Sequence, residues 1–316
     1  MRRVYAGVDV GGTGTVIGLF DEQRHILAKV QLDTLGSKRE RFGDVDAYTK
    51  LVAHHIRDAA AQLPGDSATL VAAGFGIPGQ VNPEDGVVSD ATNLGWGHVP
   101  FAWIMEDLLQ VPVRIDHDVR TFAKGELMAG AARGRSHAIC LTIGTGIAAA
   151  IAIDGKLVRG GHNLAGEIGH DVVATLTRRC PCGKVGCLET VVSGPGISRL
   201  AAAAGLTSWQ NEGEGGIPTA EDVARHCSDN NEQALGIYRY AAELLAEKLE
   251  TAVALLDPEV IVIGGGVAKA GEPLFGPIRT RLHDRFPWLR GKLTVVQAEL
   301  GDEAALIGAF HHVFQV

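Results

Sequence analysis

Two stretches far apart in this chain share one pattern. VDVGGTGTVIGLFD starts at Val8 and LTIGTGIAAAIAIDG at Leu141. Each reads as an apolar strand, a Gly/Thr turn, a second apolar strand and an acidic turn. A fold that uses such a unit twice has two related lobes, each presenting a glycine hairpin. The alternative is a chance likeness between two hairpins. Length points the same way, because 316 residues exceed a single small core and make two lobes the default. Glycine supplies 41 of those residues, nearly double its average share of about 7%. There is no collagen period. The glycines stand at the ends of apolar runs, where backbone turns sharply or comes close to a ligand.

The rest of the chain alternates strand and helix. Val4 to Val10, Thr15 to Phe20 and His25 to Leu32 predict a three-stranded meander. Helical spacing runs from Val45 to Leu63 and stops at Pro64-Gly65. Thr69 to Ile77 predicts a strand, Phe101 to Leu109 a short helix, Val113 to Ile115 a strand and Val119 to Ala132 a helix. His137 to Ile143 and Ile147 to Ile153 form the second hairpin. Trp209 to Pro218 is polar and Gly/Glu-rich, the pattern of a mobile loop. Thr219 caps the next helix, with Glu221 and Asp222 in its first turn. Glu232 to Leu256 is a long amphipathic helix stopped at Asp257-Pro258. Val260 to Ile263 is a buried strand leading into three glycines and a helix, and Gly301 to Phe314 is a terminal helix.

Composition removes several functions. Net charge is −8 and no basic block occurs, so nucleic acid is not an expected partner. No apolar run approaches the ~20 residues of a membrane helix. The start, MRRVYAGVDV, enters a strand pattern without the apolar core of a signal peptide, and the expected compartment is the cytoplasm. Five cysteines in a reducing compartment suggest metal binding or catalysis before disulfides. Cys140 and Cys227 read as small buried side chains.

The glycine turns and the cysteines carry the chemistry. In DVGGTGT, Gly11 and Gly12 open backbone N–H groups to phosphate oxygens, and Thr13 adds a hydroxyl. No Gly-Lys-Ser/Thr follows, so it is not a P-loop, and a strand follows in place of a Rossmann helix. Asp9, at the strand end, suits Mg²⁺, directly or through water. Gly144, Thr145 and Gly146 repeat the motif; a plain hairpin turn is the alternative for both. Gly264, Gly265 and Gly266 would let a flat nucleoside approach the backbone, or form only a tight strand-to-helix turn. His170, Cys180, Cys182 and Cys187 make a Cys₃His set, a closed tetrahedral zinc site with a structural role. Thiolates argue against Mg²⁺ or Ca²⁺, and three free thiols around two glycines would oxidise readily. Glu167 and Glu189 flank the set. Fixed by the metal, they would accept paired sugar hydroxyls; otherwise they are solvated surface acids.

GEIGH from Gly166 and CPCGKVGCLE from Cys180 resemble the zinc-binding signature of ROK-family sugar kinases. DVGGTGT, GIPGQV, NLGW, HDV, IGTG and IGGG follow in that family's order and approximate spacing. The resemblance spans almost the whole chain. It implies the α/β, two-lobed, actin-like (ribonuclease H-like) ATPase fold, with mixed sheets flanked by helices. The lobes are expected at 1–116 plus 302–316 and at 117–301. Carried over, Gly11, Gly12 and Thr13 match the first phosphate loop and Gly144, Thr145 and Gly146 the second. Gly264, Gly265 and Gly266 match the adenosine turn, and Asp118 matches the catalytic base. Gly79, Asn93, His117, Asp118, Glu167, His170 and Glu189 match the sugar site. The resemblance implies ATP with Mg²⁺, a structural Zn²⁺ and a homodimer.

The chain departs from the family pattern in three places. His117 stands where Asn is usual before the base, Gly14 where many members have Lys, and Ala148 to Ala150 where glycines are common. NLGW followed by Val99-Pro100 resembles the glucokinase branch, and HDV the allose-kinase branch. The expectation is transfer of phosphate to the 6-hydroxyl of glucose. The alternatives are allose, fructose, mannose, N-acetylglucosamine or N-acetylmannosamine, or a sugar sensor without turnover. Regulators of this family carry an N-terminal winged-helix domain, whereas here the first hairpin begins at Val4.

Overall fold

The computed structural model describes residues 2–36, 42–65, 67–208 and 216–314. Most of the loop expected from Trp209 to Pro218 lies outside them. In chain order the elements are β1 (Arg2–Val10), β2 (Gly14–Phe20), β3 (Ile26–Asp33), α1 (Val45–Ala61), β4 (Ala68–Ile77), β5 (Gln80–Asn82) and β6 (Val87–Asp90). Then come α2 (Phe101–Leu109), β7 (Val113–His117), α3 (Asp118–Ala129), β8 (Ala138–Ile143), β9 (Ile147–Ile153) and β10 (Lys156–Val158). The remainder is α4 (Glu189–Val192), α5 (Gly194–Ala203), α6 (Ala220–Ser228), α7 (Glu232–Leu256), β11 (Val260–Gly264), α8 (Glu272–Arg285), β12 (Thr294–Gln297) and α9 (Ala304–Val313).

The chain forms two compact units, one of Met1–Gly130, Arg159–Leu164 and Asp302–Val316, the other of Ala131–Val158 and Ala165–Gly301. Their sheets have the same topology. The order is β3-β2-β1-β4-β7 in the first and β10-β9-β8-β11-β12 in the second. In each, the first two pairings are antiparallel and the last two parallel. The duplication seen in the two glycine hairpins therefore extends to whole sheets.

In the first unit the period-2 alternation of strands sorts side chains onto two faces. Val4, Ala6, Val8 and Val10 of β1, with Ala73, Phe75 and Ile77 of β4, join the core made with Val52 and Ile56 of α1 and Phe101 and Met105 of α2. The opposite parity carries Tyr5 and Ala72 to a second core with Leu306 and Phe310 of α9. Gly74 and Gly76 lie on that face, opposite the backbone of Ala309 and the side chain of Thr121. This parity also puts Asp9 on the face served by α3 and α9.

The unit boundary differs from the expected break at 116/117. Helix α3 lies in the first unit, because its contact with α9 is built for close approach. A Cβ on Gly125 or Gly308 would overlap the backbone of Ala304 or Thr121 respectively. The short segment Arg159–Leu164 is also in the first unit. It is held there by Arg159 Nη2 to Asp116 Oδ2 at 2.7 Å and by Arg120 Nη1 to the Asn163 carbonyl at 3.1 Å.

The second unit packs Ile139, Leu141 and Ile143 of β8 and Ile261 and Ile263 of β11 against Leu245 and Leu249 of α7 and Leu274 and Ile278 of α8. Thr219 and Asp222 form a complete capping box on α6. Asn231 caps α7 at one end, and Asp257 closes the other in the left-handed region before Pro258.

Candidate functional site

In the first unit, Gly11 to Gly14 is the β1–β2 turn, closed by the Gly11 N–H donating to the Gly14 carbonyl at 2.9 Å. A buried hydroxyl chain braces it. Tyr48 Oη lies 3.0 Å from Thr15 Oγ1, Thr15 lies 2.8 Å from Thr34 Oγ1, and Thr34 donates to the Gly11 carbonyl at 2.8 Å. With the Thr34 proton used on Gly11, the order satisfying each contact is Tyr48→Thr15→Thr34→Gly11. Asn93 sits on the tight turn between bridged Ala91 and Trp96, with its Cβ 3.7 Å from where a Cβ on Gly12 would stand. Gly79 turns the chain from β4 to β5 against the backbone of Asp90.

At the end of β7, His117 is the N-cap of α3 and Asp118 its first residue. Asp118 Oδ1 accepts the Val119 N–H at 2.6 Å and lies 2.9 Å from His117 Nδ1. Burial works to raise the Asp118 carboxyl. His117, the Val119 N–H and Arg120 outweigh it and hold the carboxyl below the ordinary carboxylate range. Asp9 behaves oppositely. Burial first, then the charges of Asp118 and Asp302, push it up to about 7. Two carboxylates on one face thus have separated proton affinities, the arrangement that distinguishes acid–base partners.

Behind Asp118 lies Asp116, fully buried. Its carboxylate accepts the His117 backbone N–H at 2.8 Å, Arg120 Nε at 2.5 Å and Arg159 Nη2 at 2.7 Å. Arg120 is itself 2% exposed. A buried pair of this kind persists only when its remaining groups are satisfied, and the carbonyls of Asn163 and Val81 accept from Arg120. The Asp116–Arg120 pair was missed in the sequence, although DHDVR carries its i,i+4 spacing at a strand-to-helix junction. Arg159 and Asp302 gave no local signal, because they reach this place through tertiary folding alone.

In the second unit, Gly144, Thr145 and Gly146 form the β8–β9 turn, closed by the Gly144 N–H to the Gly146 carbonyl at 3.0 Å. The Gly144 carbonyl accepts the N–H of Gly194 at 2.7 Å. Gly264 ends β11 beside Thr142 of β8. Gly265 follows with φ +86°, and a Cβ there would meet the Ile143 backbone at 2.5–2.8 Å. Only glycine fits this approach, so the Gly264–Gly266 turn lies directly beside Gly144–Gly146. Gly266 begins a short 3₁₀ turn, Gly266–Ala270, where a helix was expected.

The loop from Asp171 to Leu188 folds on itself through bridges Val172–Cys187 and Arg179–Val185. It brings the ligand atoms of His170, Cys180, Cys182 and Cys187 within 4.8 Å of one another. Cys182 and Cys187 sulfurs are 3.5 Å apart, and Cys180 Sγ is 3.7 Å from His170 Nδ1. A tetrahedral ion with bonds of about 2.3 Å to sulfur and 2.0–2.1 Å to nitrogen needs edges of about 3.6–3.8 Å, so the donor set fits such a metal. Glu189 Oε1 lies 3.6 Å from His170 Nδ1, while Glu167 Oε2 lies 4.0 Å from Nε2. The two ring nitrogens therefore face different carboxylates. Lys248 of α7 fastens the loop, donating to the Val172 carbonyl at 2.6 Å and pairing with Asp171 at 3.1 Å; sequence reading did not single it out. Cys140 and Cys227 are buried, as expected, and burial lifts the Cys227 thiol to about 11.

Among the described residues no helix is long and apolar enough to cross a membrane. The profile of the ROK family matches residues 5–316. A glucokinase of Halalkalibacterium halodurans is 32% identical over 317 residues, covering 97% of this chain and 93% of that protein. A glucokinase of Thermotoga maritima is 34% identical over 313 residues, covering 96% and 95%. Among solved structures, a ROK family glucokinase from Streptomyces griseus, in complex with glucose and AMPPNP, superimposes with a TM-score of 0.82 at 29% identity. That match covers 99% of this chain and 100% of the other. The paired sheets thus have the actin-like ATPase architecture, and on the family profile and these full-length relatives the chain belongs to the ROK family.

Proposed function

We propose that this chain is an ATP-dependent sugar kinase that phosphorylates glucose at its 6-hydroxyl. The observation that carries the reading is Asp118. Its carboxyl is held ionised at a strand-to-helix junction, and its side chain is 37% exposed. An ionised carboxylate left open to a hydroxyl is a general base, which typically contributes 10²–10⁴-fold to a rate. Asp118 accepts the proton as the sugar oxygen attacks the γ-phosphate in line, and the bond to the leaving diphosphate breaks. Backbone N–H groups at Gly11–Thr13 and Gly144–Gly146 take phosphate oxygens, and Gly264–Gly266 takes the nucleoside. Asp9, at the end of β1, would hold Mg²⁺, which would supply charge neutralisation for the phosphates. Asn93, Gly79, Glu167, His170 and Glu189 bind the sugar, and zinc is the ion of the Cys₃His set. The full-length likeness to glucokinases supports glucose.

The test is ADP release with a panel of hexoses and N-acetylhexosamines. Glucose is expected to give the highest kcat/KM. Asp118→Asn is expected to lower kcat by about 10³-fold or more while calorimetry still detects sugar binding. Near-normal turnover in that variant would remove Asp118 from the role. A cytoplasmic location and a homodimer are family expectations, checked by fractionation and light scattering.

A further inference from the structure

In both glycine hairpins, the carbonyl of the first glycine takes its hydrogen bond from outside the hairpin. In the first unit the Gly11 carbonyl accepts the Thr34 hydroxyl at 2.8 Å. That contact has one polarity, because a carbonyl has no proton to give. In the second unit the Gly144 carbonyl accepts the Gly194 N–H at 2.7 Å. A trans peptide is planar, so its C=O and N–H point in opposite directions. A donor that draws in the Gly11 carbonyl therefore turns the Gly12 N–H outward, and Gly194 does the same for the Thr145 N–H. The duplicated hairpins reach one outcome with two donors, a hydroxyl in one and a backbone amide in the other.

Thr34 grips the first turn twice. Its own N–H donates to the Thr13 carbonyl at 2.9 Å, so one residue holds two carbonyls between Gly11 and Gly14. Thr34 and Thr15 are fully buried, and Thr15 Oγ1 and Tyr48 Oη lead back from Thr34 into the core. Asp33 Oδ1 accepts the N–H groups of Leu35 and Gly36 at 3.2 Å and 2.9 Å and fixes the chain on the far side of Thr34. On the open side of the turn, a Cβ on Gly12 would meet only the Asn93 Cβ, at 3.7 Å. Among the described residues none takes the Gly12 N–H.

We propose that Thr34 is a positioning residue for the nucleotide: by holding the Gly11 carbonyl, its hydroxyl aims the Gly12 N–H at a phosphate oxygen. The proposal rests on the reading of Gly11–Thr13 as a phosphate cradle. Outward amides in a turn form an anion-binding concavity, and a hydrogen bond to a charged oxygen is stronger than one to a neutral oxygen. Gly14 supplies no side-chain cation in this turn, so the direction of the amides carries a larger share of phosphate binding. Thr34, buried behind the turn, acts through Gly11 and does not touch the nucleotide.

The test is steady-state kinetics of Thr34→Val, which fills the site without a hydroxyl, beside Thr34→Ser, which keeps one. The valine variant is expected to raise the KM for ATP about tenfold or more, the loss of a bond to a charged group, with the sugar KM within twofold. The serine variant is expected to stay within about threefold of wild type for ATP. Thr34→Ala removes the same hydroxyl and replaces the valine variant if that one does not fold. A hydroxyl with a structural role alone would lower the melting temperature and leave the KM for ATP within twofold, and that result would overturn the proposal. The cradle is tested separately on the wild type with ¹⁵N-glycine labelling, where the Gly12 amide resonance is expected to shift on addition of AMPPNP with Mg²⁺. An unmoved Gly12 resonance would sink the reading of the cradle and the proposal with it. A shifted resonance together with an unchanged KM for ATP in Thr34→Val would sink the proposal alone.

Discussion

At the scale of single residues, the candidate site gives like groups unlike surroundings. Asp9 and Asp118 are both carboxylates, yet one is pushed up to about 7 and the other held below its ordinary range. The Asp9 shift has a consequence for stability. Its folded proton affinity exceeds the unfolded one, so between pH 4 and 7 the folded state holds a proton that the unfolded chain has lost. Stability contributed by that proton is present below about pH 4 and is lost as pH rises through about 7. Asp9→Asn is therefore expected to be more stable than wild type at pH 8 by about 1–3 kcal/mol, with the difference shrinking toward pH 4.5. Urea unfolding without nucleotide or Mg²⁺ measures this. A variant less stable than wild type at pH 8 would show that Asp9 is not burdened by burial. At this scale much was legible in the sequence. The glycine turns and the Cys₃His set announce themselves by residue type and spacing, whereas Asp118 was singled out only through the family resemblance. Asp302 and Arg159 do not, because their meaning comes from what they face after folding.

At the scale of elements, local signals decided what could be read. Helices α2 and α7 have the boundaries that their apolar spacing gave. The Thr219–Asp222 capping box is equally local. Helix α8 gave no such signal, since Pro277 lies inside it and its apolar residues do not gather on one clear stripe. β12 has four residues, too few for alternation to declare itself. The loop Asp171–Leu188 has almost no regular structure, and its shape is set by two bridges and by four ligand side chains. Elemental analysis is accordingly expected to find about one zinc per chain in the parent protein and none in Cys182→Ser. With both flanking carboxylates loosened, the sugar KM is expected to rise about tenfold or more, while Cys227→Ser changes neither. A variant that keeps its sugar KM after losing the metal would separate the loop from sugar binding.

For the whole molecule, the two sheets of identical order carry the strongest sign of descent from one ancestral unit, and the repeated glycine hairpins were its visible trace. The domain break was less legible. It falls after Gly130 because α3 is welded to α9 where Gly125 meets the Ala304 backbone and Gly308 meets the Thr121 backbone, contacts far apart in sequence. Removing residues 302–316 should therefore damage the unit to which the first 130 residues belong. Leu306, Phe310 and Val313 would leave a core shared with Tyr5 and Phe20, at about 1.5–3 kcal/mol for each large side chain. The truncated chain is expected to be largely insoluble, or to melt at least 10 °C lower by calorimetry. An intact melting transition would refute the dependence.

The same contact constrains the order of events during synthesis. A ribosome making this chain delivers the sheet of the first unit early and its covering helix only after the second unit. For most of translation, Phe20 and the glycine-lined face of β4 have no cover. The nascent first unit must wait for the entire second unit to emerge before α9 can cover its sheet and α3 can lock in place against it.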